Sequence, residues 1–214
     1  MNFDRNGVRV RQSQPVRTIK HVRRVITIDS RDRDTTKYVK VNGGAAASDP
    51  GDFVVYLPRP FSNVTRIRLK NAVINAPQAG WAAGDSYVLI GIEGLNRMDE
   101  TAPGGDRAGY VDSTFAKVLN PAVGLTASAS VSTSIFYNDS NNDENITVYT
   151  PPVGTLDRLH ITFRRHLAYS AIGNTSPLTA PITFGTSENS LTFEIEYLDN
   201  VFEDVSSFET FLNV

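Results

Sequence analysis

In three segments of the chain apolar residues recur at every second position, and this period confines those segments to extended, half-buried strands. Within residues 64–70, Ile67 and Leu69 fall on one face and Arg66, Arg68 and Lys70 on the other. Leu159, Ile161 and Phe163 alternate with His160, Thr162 and Arg164, and Leu191, Phe193, Ile195 and Tyr197 alternate with Thr192, Glu194 and Glu196. Successive side chains of a strand point to opposite faces, so each segment offers one face to a core and the other to water or to an interface. No amphipathic helical period of useful length and no internal repeat accompanies them.

Six further runs read as strands: residues 25–28 (VITI), 53–57, 87–92, 114–119, 134–137 and 146–149. Pro58 and Pro60 are expected to stop the strand at 53–57, because proline cannot donate to a ladder. Residues 42–51 (NGGAAASDPG), 98–109, 138–145 and 171–189 are rich in Gly, Pro, Asn, Asp and Ser and read as loops. Such loops exceed the usual hairpin length of about two to five residues, so connections cross between sheets. The expected fold is all-β: a single jelly-roll antiparallel β-sandwich with an extended N-terminal arm. Residues 1–48 form a basic N-terminal arm with a short strand at about 25–28, residues 49–200 the sandwich, and residues 201–214 an acidic C-terminal tail. A chain of 214 residues suits one such domain.

The formal net charge of −2 conceals an asymmetry. Residues 1–40 hold 11 Lys and Arg against 4 Asp, whereas the remainder holds 10 against 19 acids. From Glu188 to Val214 there are 7 acids and no base. Arginines of the basic head could neutralise phosphates, but only Phe3 and Tyr38 interleave with them, so no platform for stacking bases is visible. Docking of the head on an acidic surface of a neighbouring subunit, such as the chain itself supplies from Glu188 to Glu209, is the favoured reading, and nucleic acid the lesser one.

Catalytic patterns are not found. The chain has no cysteine, hence no disulfide, thiolate metal site or cysteine nucleophile. No Gly-Lys pair, G-x-G-x-x-G or G-x-S-x-G occurs. His160 and His166 are six apart, about 20 Å along a strand, too far to share a metal. Asp29, Asp32 and Asp34 lack the spacing of a calcium loop, and Arg31 and Arg33 between them would oppose a cation, so an Arg–Asp hydrogen-bond network is expected. Neither an enzymatic role nor a cofactor or metal is expected. Without an apolar leader or a run of about 20 apolar residues, no secretion signal or membrane span is expected either. The sequons at Asn63, Asn138, Asn145 and Asn174 therefore read as chance.

Three segments, in order, carry a resemblance: I-D-S-R-D-R at residues 28–33, D-F-V-V-Y-L-P-R-P at 52–60 and N-V-T-R-I-R-L-K-N-A-V-I at 63–74. Together they resemble the small jelly-roll capsid proteins of nucleocytoplasmic large DNA viruses, including those of algal viruses. Residues 86–95, 151–163 and 191–198 match family strands more loosely, and the Gly/Ala-rich loop at 42–51 departs from the compact turn of the family. The resemblance implies a virion component made in the host cytoplasm, either the pentameric vertex (penton) protein or a minor capsid protein bracing the lattice from inside. Its partners would be further copies of itself, the major capsid protein and other minor capsid proteins. Candidate contact residues between subunits are Arg5, Arg9, Arg11, Arg17, Arg23 and Arg24 of the head, Asp29, Arg31, Asp32, Arg33 and Asp34 of the turn, and Phe202, Phe208 and Phe211 of the tail. The rival reading is a carbohydrate- or receptor-binding sandwich whose loops around Trp81 and residues 98–109 engage a ligand.

Overall fold

The computed structural model describes residues 17–36, 41–42, 45–46, 49–82, 84–96, 113–121, 133–139, 145–166 and 179–202. Among these lie ten strands: β1 (Arg17–Asp29), β2 (Val41–Asn42), β3 (Ala45–Ala46), β4 (Asp52–Ile74), β5 (Tyr87–Ile92), β6 (Ala116–Leu119), β7 (Ile135–Asn138), β8 (Ile146–His166), β9 (Thr179–Pro181) and β10 (Ser190–Phe202), with one 3-10 turn at Ser30–Asp32. The described residues are nearly all β, and every pairing among their strands is antiparallel. Eight strands form one curled sheet in the order β1-β10-β4-β8-β5-β6, with β7 on β4 and β9 on β8, while β2 and β3 pair as a separate two-residue ladder at the start of the expected 42–51 loop.

The strand expected at about 25–28 is the end of β1, which begins at Arg17; residues 17–24, expected as arm, therefore belong to the sheet. At the other terminus β10 continues through residues 201 and 202, which were expected as tail. Likewise the strands expected at 53–57 and 64–70 are one strand, β4, and those at 146–149 and 159–164 are one strand, β8. Pro58 and Pro60 do not end β4. Its pairing with β8 passes from Tyr56↔Arg158 directly to Phe61↔Leu156, so the prolines stand where no ladder bond is asked of them. Pro151 and Pro152 of β8 fall in a matching gap, between Val64↔Val153 and Arg66↔Val148.

Bulges let so long a strand serve the core along its whole length. In β4 the positions buried in the core cluster are Phe53, Val55, Leu57 and Phe61, then Val64, then Ile67 and Leu69, then Ala72 and Ile74, so the inward parity changes three times. The last two changes coincide with register shifts against β10, where Thr65 and Lys70 are each an extra residue on β4. An extra residue in one strand reverses which side chains face inward beyond it. Near the first change Asn63 adopts a positive φ of 54°, a conformation asparagine tolerates better than most residues.

Inside the curl lies one continuous apolar cluster. Its rings pack edge to face: Phe163 against Phe184 at 5.4 Å, Trp81 against Phe184 at 6.3 Å, and Phe115 against Phe193 at 5.8 Å. Phe115 precedes β6 at one end of the strand order and Phe193 lies on β10 near the other, so this last contact spans the curl. Asn145 fastens the same closure with its amide. Its Oδ1 accepts from Lys117 N at 3.0 Å, its Nδ2 donates to Lys117 O, and its own carbonyl accepts from Leu69 N of β4 at 3.0 Å. Gly51 marks a close approach of backbones, since a Cβ there would collide with the Ile182 carbonyl and lie 2.8 Å from the Phe184 ring.

Replacing Asn145 by Ala leaves the backbone of Lys117 without these partners, and a loss of about 1–3 kcal/mol is expected. It would be read as a lower urea midpoint at unchanged slope. Phe136→Ala, at a side chain 77% exposed, should move the midpoint by no more than about 0.5 kcal/mol equivalent.

Candidate functional site

The turn that follows β1 is built to hold. Asp29 caps the 3-10 turn by accepting from Arg31 N at 2.9 Å. Ser30 is fully buried; its N–H donates to Asn189 O, and its Oγ accepts from Asn189 N and donates to Glu188 Oε2 at 2.5 Å. Arg33 reaches the same carboxylate with Nη1, at 2.9 and 2.7 Å from its two oxygens, and also donates to Ser30 O. Asp34 N donates to Val54 O of β4, while its carboxylate accepts from Thr36. The expected Arg–Asp network is thus realised only in part. Arg31 lies 3.8 Å from Asp29 and is largely exposed, but the partner of Arg33 is Glu188, 155 residues away.

A second charged cluster covers the outer face where β1, β10 and β4 lie side by side. Arg23 stands directly across from Glu196 in the ladder. Glu196 takes a hydrogen bond from Arg23 Nε at 2.9 Å and one from His21 Nδ1 at 3.0 Å, with Arg66 of β4 at 3.9 Å. Lys70 Nζ lies 3.9 Å from Glu194, and Arg68 holds the buried Asp139 through Nε at 2.9 Å. The acidic stretch that begins at Glu188 therefore spends three of its carboxylates inside the chain, on cations of β1, the turn and β4. Burial pushes the Glu196 carboxyl up, but the His21 and Arg23 hydrogen bonds outweigh it and hold the group below the ordinary glutamate range. At Glu188 burial again acts upward and is outweighed by the bonds from Arg33 and Ser30, so that carboxyl also lies low.

The third cluster was not legible in sequence. His160 of β8 lies between Asp52, where β4 begins, and Glu93, which follows β5, with Nε2 and Nδ1 each 2.7 Å from a carboxylate oxygen. The His160 hydrogen bond draws the Glu93 carboxyl below its ordinary value. Both imidazole nitrogens are committed to carboxylates, which leaves neither to bind a metal. Among the described residues no group of three or more His, Asp or Glu is placed to hold one. His166, six residues on, stacks on Tyr87 at 6.1 Å, and Lys117 sits 4.2 Å over the same Tyr87 ring.

Of the contact residues expected from sequence, Arg23, Asp29, Arg31, Arg33 and Asp34 have partners within the chain, and Arg24 and Asp32 lie exposed at the surface. Arg17 and Phe202 pair with each other at the end of the β1–β10 ladder. Arg5, Arg9, Arg11, Phe208 and Phe211 lie outside the described residues, as do residues 98–109. Trp81 is fully buried and donates from Nε1 to Thr133 O at 2.7 Å, so its ring fills the core and offers no stacking surface to a sugar. Asn145 of the third sequon is buried within the closure. No helix of the described residues is long and apolar enough to cross a membrane. Compared with protein-family models and with curated proteins, the chain matches none.

Because both glutamates are depressed, the stability they contribute is complete above the ordinary value of about 4.5 and is lost as the pH falls through their lower folded values. Glu188→Gln should cost about 1–3 kcal/mol at neutral pH by breaking the Arg33 and Ser30 bonds. It should also flatten the decline of the urea midpoint on acidification from that pH downward. A variant as steep as the parent would show that Glu188 carries no such linkage.

Proposed function

We propose that the chain is a structural subunit of an icosahedral viral capsid, its curled sheet a single jelly-roll sandwich. The pentameric vertex is its preferred place, and a minor capsid protein bracing the major capsid lattice is the other. The observation that carries this reading is where the three family-like segments meet. Residues 52–60 and 63–74 are one continuous strand, β4, and the 28–33 turn is tied beside it through Asp34 to Val54. Motifs that resemble a family in order along the chain thus lie side by side in the fold.

The physical design suits a shell. A subunit in a lattice transmits load through several neighbours, so it needs a sheet whose register cannot slip and a surface that commits its charges. Arg33 with Glu188 locks the turn between β1 and β4, and the row of Arg and Lys against Glu194 and Glu196 fixes β1, β10 and β4 in one register. Apolar side chains left outside, Leu119 on β6 and Phe136 on β7 among them, are surface that neighbours could cover. Further copies of the chain, the major capsid protein and other minor capsid proteins are the partners in this proposal, the virion is its location and the host cytoplasm its place of synthesis.

Sedimentation and negative-stain imaging of the purified chain are expected to give five-fold rings, and a tag on the chain should label the vertices of particles. Labelling spread over the lattice would assign it to the minor capsid proteins instead. A chain that stays monomeric at all concentrations and is absent from purified particles would overturn the reading.

A further inference from the structure

The β1–β10 ladder is longer than the sheet that supports it. It runs from Asp29↔Ser190 to Arg17↔Phe202, whereas the pairing of β10 with β4 ends at Tyr197↔Val64. Residues 17–21 and 198–202 therefore run beyond the last β10–β4 pair as a two-stranded ribbon that β4 does not pair with. An unsupported ribbon of two strands is marginal in water. In the ribbon Ile19 is 59% exposed on the outer face and Lys20 is exposed on the other, and farther along, where β4 supports the ladder, Val25 at 58% and Arg24 are exposed in the same way. Among the described residues no strand pairs with the second edge of β1.

The charge on that edge says what fits it. β1 carries Arg17, Lys20, Arg23 and Arg24 with His21, against a single acid, Asp29. Two β1 edges would repel each other, because like charges across a ladder destabilise it, so an acidic strand is the complementary occupant. On its inner edge β1 already pairs with such a strand, where Glu196 takes bonds from His21 and Arg23. Residues 203–214 hold Glu203, Asp204 and Glu209 with no base, together with Phe208, Phe211 and Leu212. Twelve extended residues reach about 40 Å, close to the span of the thirteen of β1. The segment begins at the tip of the ribbon, where Phe202 faces Arg17. It starts on the side of β1 that β10 already occupies, and the opposite edge is open to a second copy.

We propose that the free edge of β1 receives, by strand addition, the acidic segment 203–214 of a second copy. The proposal rests on that part of the capsid reading which holds that copies associate, and it names the surface and the mode.

A chain without cysteine permits a clean test. Full-length Ile19→Cys or Val25→Cys protein is mixed with full-length copies carrying one cysteine at each position from 205 to 212, and disulfide dimers are scored on non-reducing gels. Cross-linking between copies is expected at alternate tail positions, as a strand requires. It should weaken at least about tenfold between about 50 and about 500 mM NaCl. It should weaken likewise with Lys20→Glu/Arg24→Glu, and recover when that protein meets tails carrying Glu203→Lys/Glu209→Lys. Circular dichroism of each variant checks that it is folded. Absence of dimers at every tail position, cross-linking without alternation, or a disulfide only when both cysteines sit in one chain would overturn the proposal. Five-fold rings without the cross-link would remove this contact and leave the shell reading standing. The cross-link in a chain absent from particles would do the reverse.

Discussion

The structure depends on one strand of twenty-three residues, β4, which pairs with β10 over residues 64–73 and with β8 and then β7 along its other edge, while its side chains keep returning to the core. A regular strand of that length cannot do this, because the sheet twists and curls beneath it. Extra residues at Thr65 and Lys70 solve the problem by resetting parity, so that Ile67 and Leu69, then Ala72 and Ile74, all point inward. β10 gains its place beside β4 through those resets, and β8 gains its place through the proline gaps. The aromatic contact of Phe115 with Phe193 exists only because the sheet so built curls far enough for its ends to face each other.

Electrostatics acts on this scaffold as a selector more than as a source of stability. Exposed ion pairs contribute about 0–1 kcal/mol each, and Arg23 is mostly exposed beside Glu196. Their arrangement nonetheless discriminates between registers. A slip of one residue would put Arg24 across from Glu196 and turn every side chain of β1 to the wrong face. Glu188 differs, since it binds a largely buried Arg33 and the buried Ser30, and so ties the turn after β1 to the start of β10.

The strands at 159–164 and 191–198 were legible because each has a core on one side only, which imposes a plain period of two, whereas 87–92 was legible as a continuous apolar run, buried from Val88 to Ile92. It misled at Pro58 and Pro60, where the rule that proline ends a central strand is correct and the partner strand happens to make no demand. The basic head and acidic tail were visible as compositions, but their meeting as neighbouring strands was not, since nothing local relates Arg23 to Glu196. The same holds for Asp52, His160 and Glu93, which come together from three separate stretches of chain. Arg33 pointed toward its nearest acids in sequence and found its carboxylate across the fold.

The position of β10 has a consequence in time. It is the last of the described strands in sequence, yet it lies between β1, the first, and β4 in the sheet. During synthesis β1 and one side of β4 must wait, unpaired, until residues 190–202 have left the ribosome, and nearly the whole chain must then close in one loop. A topology of such high contact order folds slowly and leaves open strand edges exposed to other nascent chains in the interval. The cations of β1 work during that wait as well as after it, by keeping one unfinished copy from pairing with the next.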